Sequence, residues 1–254
     1  MGKFLTEVDG WIIACILGVA LLAAWGAGWR WGVRLAAAKS EAVHGGNEAI
    51  LALLGLLLGF TFSISLNKHD QRRLMVVQDS NSIGDFYTCA SLLDEPVRSK
   101  LQAVIRGYVK QWLELARGDL DAATLQAKLA EIQTTHGQMQ TLVGEALRAG
   151  TPIATPLVNT LNEVTSSHAA RLAAVRDRLP PSIVGLLVLA SLLALALVGR
   201  QQGLAGKRDL VATVGFVVLV SLVVWVTLDL NQPYRGAITV SQEPLQRLLG
   251  EMGK

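Results

Sequence analysis

Two histidines carry the most pointed chemistry in this chain. His136 and His168 each sit on an apolar helical stripe, and they are equidistant from Pro152. A helical hairpin turning there brings the two rings level, so that they can face each other in a bundle. Two buried imidazoles cannot both take up a proton cheaply, which is the basis of a pH sensor. A metal needs more than two nitrogens, and Gln or Thr neighbours can satisfy both rings, as buried polar groups generally are satisfied. The bland reading is a pair of structural histidines. Elsewhere reactive constellations are missing: there is no CxxC, HExxH, GxSxG or Walker A, and no strand-rich segment to carry GxGxxG. Asp94, Glu95 and Glu163 are isolated carboxylates at expected helix surfaces or ends. The residues point to no enzyme, no metal and no cofactor.

A second group of interest leaves the end of an apolar run. Asn67, Lys68, Asp70, Arg72 and Arg73 follow directly on residues 49–66, which hold no charge. A basic cluster at that position would draw anions toward a membrane face. Within the run, Gly55, Gly59 and Ser63 recur every four residues on one helix face. Small residues at this spacing let helix backbones approach closely in lipid, and helix packing is their plain explanation. Phe60 and Phe62 with Thr61 and Ser65 add the aromatic and hydroxyl groups from which a narrow, dewetting pore can be made.

These residues must be positioned by membrane helices. The 254 residues are 51% hydrophobic yet still 17% charged, with the apolar residues bunched into long runs, which does not suit one soluble domain. Four runs have span length. The first, residues 8–29, follows a poor basic leader at 1–7 and carries Trp11 near one end and Trp25 and Trp29 near the other, as interfacial belts do. It reads as an uncleaved span. A connector at 30–48, broken by Gly45-Gly46, leads to the second span at 49–66, and one continuous helix can hold that span and the polar segment after it. The third span is 181–199, and a short connector at 200–208 precedes the fourth at 209–229. None of the four runs contains an interior Asp, Glu, Lys, Arg or His, which argues against a pump or coupled carrier but not against a passive pore.

Between spans two and three, residues 67–180 turn amphipathic. Leu101, Val104, Tyr108, Trp112 and Leu115 form one stripe at spacings of three and four. After a break at Gly118-Asp119, a second stripe contains Leu129, Ile132, His136, Met139 and Val143. A third, after the turn at Gly150-Thr151-Pro152, contains Leu157, Leu161, Val164, His168 and Leu172. The three should pack together like coiled-coil seams. The expected fold class is therefore an all-α integral membrane protein: four transmembrane helices with a soluble helical bundle inserted between spans two and three, and a polar tail at 230–254. An even number of spans puts both termini and the bundle on one side. The positive-inside rule does not choose the side. Arg30, Arg34, Lys39, Arg200, Lys207 and Arg208 in the connectors oppose Lys68, Arg72, Arg73, Arg171, Arg176 and Arg178 at the bundle face. A formal charge of +3, evenly spread, gives no reason to expect nucleic acid. Cys15 lies in an apolar run and Cys89 in polar sequence, so no disulfide framework is expected.

Three strings carry a resemblance. LLGLLLGFTFSISLNKHDQRRLMVVQDSNSIGDFY, LNEVTSSHAARLAAVRDRLPPSIVGLL and LDLNQPYRGAITVSQEPL look like a bacterial family of multi-pass membrane proteins labelled bestrophin-like. The closing pattern DxxxPxxGxIxVSxxPL falls here on Asp229, Pro233, Gly236, Ser241 and Pro244. At one remove the chain resembles the bestrophins, pentameric anion channels with two spans, a cytoplasmic helical domain and two further spans. Leu58-Gly59-Phe60, Asn67 and Asp70-Gln71-Arg72 match their second span. The distance from Phe60 to Asp70 is longer than in bestrophins by about one helical turn. Matching on Leu58-Gly59-Phe60 puts Ala52, Leu56 and Phe60 at the neck of a pore; matching on Asp70 puts Gly55, Gly59 and Ser63 there.

The resemblance implies a homo-oligomer, a pentamer by analogy, in the bacterial inner membrane, with termini and bundle cytoplasmic. Its partners would be the lipid bilayer and anions. It further implies a passive anion or small-solute channel with span two lining the pore. Two other functions fit the same layout: a non-conducting scaffold or sensor whose bundle binds a partner, and a stator-like subunit of an ion-driven complex.

Overall fold

The computed structural model describes residues 10–38, 47–117, 122–177, 179–232 and 237–253. Among these, eight helices and no strand occur: α1 (Gly10–Ala37), α2 (Asn47–Ser91), α3 (Val97–Arg117), α4 (Ala122–Arg148), α5 (Ala154–Arg176), α6 (Pro181–Leu204), α7 (Leu210–Leu230) and α8 (Glu243–Glu251). The expected breaks at Gly45-Gly46 and Gly118-Asp119, the leader at 1–7, and Pro233 and Gly236 of the tail motif lie outside the described residues. Helices α1, α2, α6 and α7 are each long and apolar enough to cross a membrane. The chain divides into two compact units.

The first unit holds α1, α2 as far as Lys68, α6 and α7. Its core is aliphatic, built from residues such as Leu17, Leu21, Leu54, Leu187, Leu195 and Val220. The closest approach within it is between α1 and α6, and glycines make it. A Cβ built at Gly28 would overlap the carbonyl of Ala196, at Gly32 that of Arg200, at Gly199 that of Trp25 and at Gly203 that of Trp29. Each helix thus presents two glycines four apart to the other's backbone, the close packing that small residues permit in lipid. Helix ends are fastened locally. Asp209 caps α7 by accepting from the Ala212 amide at 2.9 Å, and Gly206, at φ +65°, lets the chain leave α6 in the left-handed region. Trp25 Nε1 donates to Gln202, whose amide donates to Thr213, while Arg200 and Arg208 lie over the rings of Trp31 and Trp29.

Helix boundaries differ from the sequence expectation at the connectors. Between Trp29 and Ala38 the chain has no Pro, and Gly32 is held against the backbone of α6, so α1 continues to Ala37 and carries Arg30 and Arg34 on helix rather than loop. Likewise α6 runs to Leu204 and takes in Arg200.

The second unit holds α2 from His69, with α3, α4, α5 and α8. The three amphipathic stripes meet in one core: Leu101, Tyr108, Trp112, Leu115, Ile132, Met139, Val143, Leu157, Leu161 and Val164 are buried together. Ile83, Phe86 and Ala90 of α2 join them. The hairpin between α4 and α5 turns where glycine permits, with Gly150 at φ +79° and the Thr151 amide bonded back to the Ala146 carbonyl. The expected polar tail contains α8, which starts with Pro244 in its first turn and buries Leu245 completely in this core. Leu245, Leu248 and Leu249 give that nine-residue helix an apolar side, which is why it packs rather than trailing.

Candidate functional site

Helix α2 is 45 residues long, about 67 Å at 1.5 Å per residue, roughly twice the hydrocarbon thickness of a bilayer. Its apolar part cannot account for that length, and the helix carries membrane-type sequence at one end and polar sequence at the other. Along one side it is covered: Leu54, Thr61, Ser65, Arg72, Val76, Asp79, Ile83, Phe86 and Ala90 are buried, at spacings of three, four and seven. Thr61 satisfies its hydroxyl on the Leu57 carbonyl of its own helix. The opposite side is uncovered. Ala52, Leu56 and Phe60 are exposed, the last two by 54% and 60%, and so are Gly55, Gly59 and Ser63. Among the described residues, no atom of a neighbouring element lies within 4 Å of where a Cβ would stand at Gly55 or Gly59. At 100° per residue the aromatic and the small face are centred roughly 60° apart. They are adjacent parts of one exposed arc, whose middle line passes through Ala52, Leu56, Gly59, Ser63, Asn67 and Asp70.

The polar exit residues do not share one environment. Asn67, Asp70 and Arg73 are exposed and Lys68 is partly buried. Arg72 is buried and turns to the covered side, where it donates a 2.9 Å hydrogen bond to the Asp177 carbonyl oxygen. Of the cations that follow the apolar run, Arg73 faces solvent and Arg72 holds the backbone at the end of α5.

The structure brings His136 and His168 together. Their rings stack with centroids 4.7 Å apart and planes 6° from parallel, and both side chains are buried. His168 bonds at both nitrogens: Nε2 to Gln133 Oε1 at 2.9 Å and Nδ1 to the Tyr108 hydroxyl at 2.9 Å. Because the Gln133 oxygen only accepts, Nε2 carries the proton and Nδ1 receives the one from Tyr108. His136 Nε2 meets Thr165 Oγ1 at 3.2 Å, and that hydroxyl already donates to the Leu161 carbonyl, so His136 is the donor. Burial pushes His168 down to about 4, helped by the neighbouring His136, and burial also lowers His136. Burial holds the Tyr108 hydroxyl well above the usual phenol range. Stacked rings aim their lone pairs side by side rather than at a common point. Among the described residues no three His, Cys, Asp or Glu groups converge on a metal position.

Beside the imidazoles lies an ionic cluster that sequence reasoning missed. Asp79, wholly buried, accepts from Arg171 Nη1 at 2.6 Å and from the Ser167 hydroxyl at 2.7 Å. Arg171 Nη2 donates to Gln242 at 2.8 Å, and its guanidinium lies 3.9 Å from the centre of the Trp112 ring. One buried charge pair thus joins α2, α3, α5 and the residue preceding α8. Only an unusual Asp among the apolar positions of α2 hints at it in the sequence, since its partner is 92 residues away.

The tail motif has a local physical basis. Asp229, buried at the end of α7, accepts the backbone amides of Ala237 and Ile238 at 3.1 and 2.7 Å. Within the other unit, Ser241 Oγ accepts from the Glu243 amide, and the Pro244 carbonyl accepts from the Ser80 hydroxyl at 3.1 Å. The carboxylate thus fastens the chain after α7, while Ser241 and Pro244 start α8.

No curated protein matches the chain. Among solved structures, that of a bacterial Bestrophin homolog from Klebsiella pneumoniae, carrying a point mutation, matches with a TM-score of 0.66. The likeness covers 93% of this chain and 98% of that one at 15% sequence identity, which speaks to the fold. A family model described as a Bestrophin-like domain matches residues 14–245. With four apolar helices of spanning length and nearly its whole length inside that domain, the chain is a membrane protein of the Bestrophin-like family.

Proposed function

We propose that copies of this chain assemble around a common axis as a passive channel for anions or small solutes, with α2 lining the axis. The observation that carries this reading is the uncovered arc of α2. A charge-free helix side holding Ala52, Leu56, Phe60, Gly55, Gly59 and Ser63 is exposed, with no described element over its glycines, while Leu54, Thr61 and Ser65 on the opposite side are buried. An arc of that kind is served by lipid, by neighbouring copies or by a narrow pore, and its middle line mixes apolar, glycine and hydroxyl positions suited to a dewetting gate. Arg73 and Lys68 beyond it would raise the local concentration of anions at one mouth. In this reading 8–29, 49–66, 181–199 and 209–229 are the spans. The helical unit at 67–180 stands in water, and termini and bundle face the cytoplasm of a bacterial inner membrane. By the bestrophin likeness the assembly is a pentamer.

Purified protein reconstituted in liposomes tests this. Halide flux that responds to Phe60→Ala or Ser63→Leu is the expected result. Ring-shaped assemblies that pass no halide under any gating condition would overturn the channel and favour a non-conducting scaffold. Modification of Cys89 in intact cells, compared with permeabilised ones, tests the sidedness.

A further inference from the structure

The histidine stack lies in the second unit and serves neither the exposed arc of α2 nor the tail clamp. The groups around it come from three helices: Tyr108 and Trp112 from α3, Gln133 and His136 from α4, Thr165 and His168 from α5. The charges that reach the rings are Asp79 of α2 and Arg171 of α5, and these two are committed to each other at 2.6 Å. Arg171, Trp112 and His168 follow one another at 3.9 and 6.1 Å, so a cation already stands one aromatic ring away.

The hydrogen-bond sequence from Tyr108 through His168 to Gln133 has one direction only. It requires a neutral His168, because Nδ1 must accept while Nε2 donates. A second proton on His168 puts an N–H against the Tyr108 hydroxyl. The phenol, itself wholly buried, must then turn its own proton away. A proton on His136 instead places a cation flat against the His168 ring, and two protons place like charges 4.7 Å apart. Every protonated state therefore disturbs the seam where α3, α4 and α5 meet.

We propose that the Tyr108–His168–His136 stack is an acid-sensitive latch of the helical unit, closed when both rings are neutral and released when either is protonated. The sign follows from the direction of the shifts. Both rings are held below their unfolded value of 6.5, so the stabilisation is complete above that pH. It is lost progressively as pH falls toward the folded value of about 4 for His168.

The test uses the full chain in detergent. Thermal unfolding is followed between pH 8 and pH 4.5 for the natural protein and for the double variant His136→Gln/His168→Gln. The expected result is a steep loss of melting temperature below pH 6.5 in the natural protein and a visibly flatter profile in the double variant. Parallel profiles overturn the latch. Should the double variant fail to fold, the natural protein carries the test alone through imidazole NMR. His136 and His168 must titrate below 6.5. Titration of both rings at 6.5 overturns it. Failure of halide flux bears on the channel reading and leaves this result untouched.

Discussion

Helices α1 and α2 carry the same signature, glycines four residues apart on an apolar helix, and meet opposite fates. Gly28 and Gly32 are pressed against the backbone of α6, where Gly199 and Gly203 answer them. Gly55 and Gly59 face nothing among the described residues. Spacing alone says which residues share a face. Whether that face is closed within the chain depends on a complementary face elsewhere, and α6 has one for α1. For α2 the fastening is on the other side, through Arg72 and Asp79, so its glycine arc is free to meet lipid, a second copy or a pore.

The sharpest way to break this contrast is to add one methyl group to each stripe. In α1 and α6 the double variant Gly28→Ala/Gly199→Ala puts two methyl groups into carbonyl positions of the facing helix. Side-chain overpacking costs about 1–3 kcal/mol per site, and backbone gives way less readily than side chains. The expected cost is roughly 5 kcal/mol or more, an exceptional value, seen as loss of the monodisperse peak in size-exclusion chromatography. A double variant that stays monodisperse, with an unchanged melting temperature, would mean that the helices are further apart than the structure places them.

The covered side of α2 is next. Asp79→Ala removes one member of the buried pair and leaves Arg171 charged beside Trp112, still bonded to Gln242. Breaking a buried pair from one side costs about 3–5 kcal/mol. The double variant Asp79→Leu/Arg171→Met removes both charges and is expected to recover much of that loss. Chemical denaturation of the three proteins measures it. A single variant as stable as the natural chain would show that this side of α2 is not fastened by charge.

Much of this was legible in the sequence, for reasons that differ by residue. The stripes through Tyr108, Met139 and Val164 announce themselves by periodicity, and the hairpin at Gly150 sets the register that pairs His136 with His168. Both are local inferences, in which near neighbours in sequence fix the geometry. The Asp79–Arg171 pair was not legible, because a charge on an apolar stripe names no partner 92 residues away. Nor was the docking of α8, since three leucines in nine residues are too few to tell a buried helix from an exposed one. The α1–α6 seam escaped notice for a related reason. Its glycines are interleaved with Trp25, Trp29 and Trp31, whose aromatic character suggests an interface with lipid headgroups before it suggests helix contact. Conversely the stripe on α2 was easy to see, yet among the described residues nothing packs on its glycines.

The smallest expected effect completes the comparison and is also the most informative. Gly59→Ala adds the same methyl group to α2 that Gly28→Ala adds to α1, but into open space. Among the described residues it meets no atom within 4 Å, and alanine is the better helix former by about 1 kcal/mol. The protein should therefore fold as well as before, with a melting temperature unchanged or slightly raised. If the arc faces only lipid, nothing else changes. If it faces an axis shared with other copies, one methyl per copy narrows the ring at the same level, and halide flux should fall while the oligomer persists. A stable protein with unaltered flux would move the pore line around the helix toward Leu56 and Phe60, and the same comparison repeated with Leu56→Ala would locate it. A destabilised monomer would contradict the open face itself, and with it the contrast between the two helices.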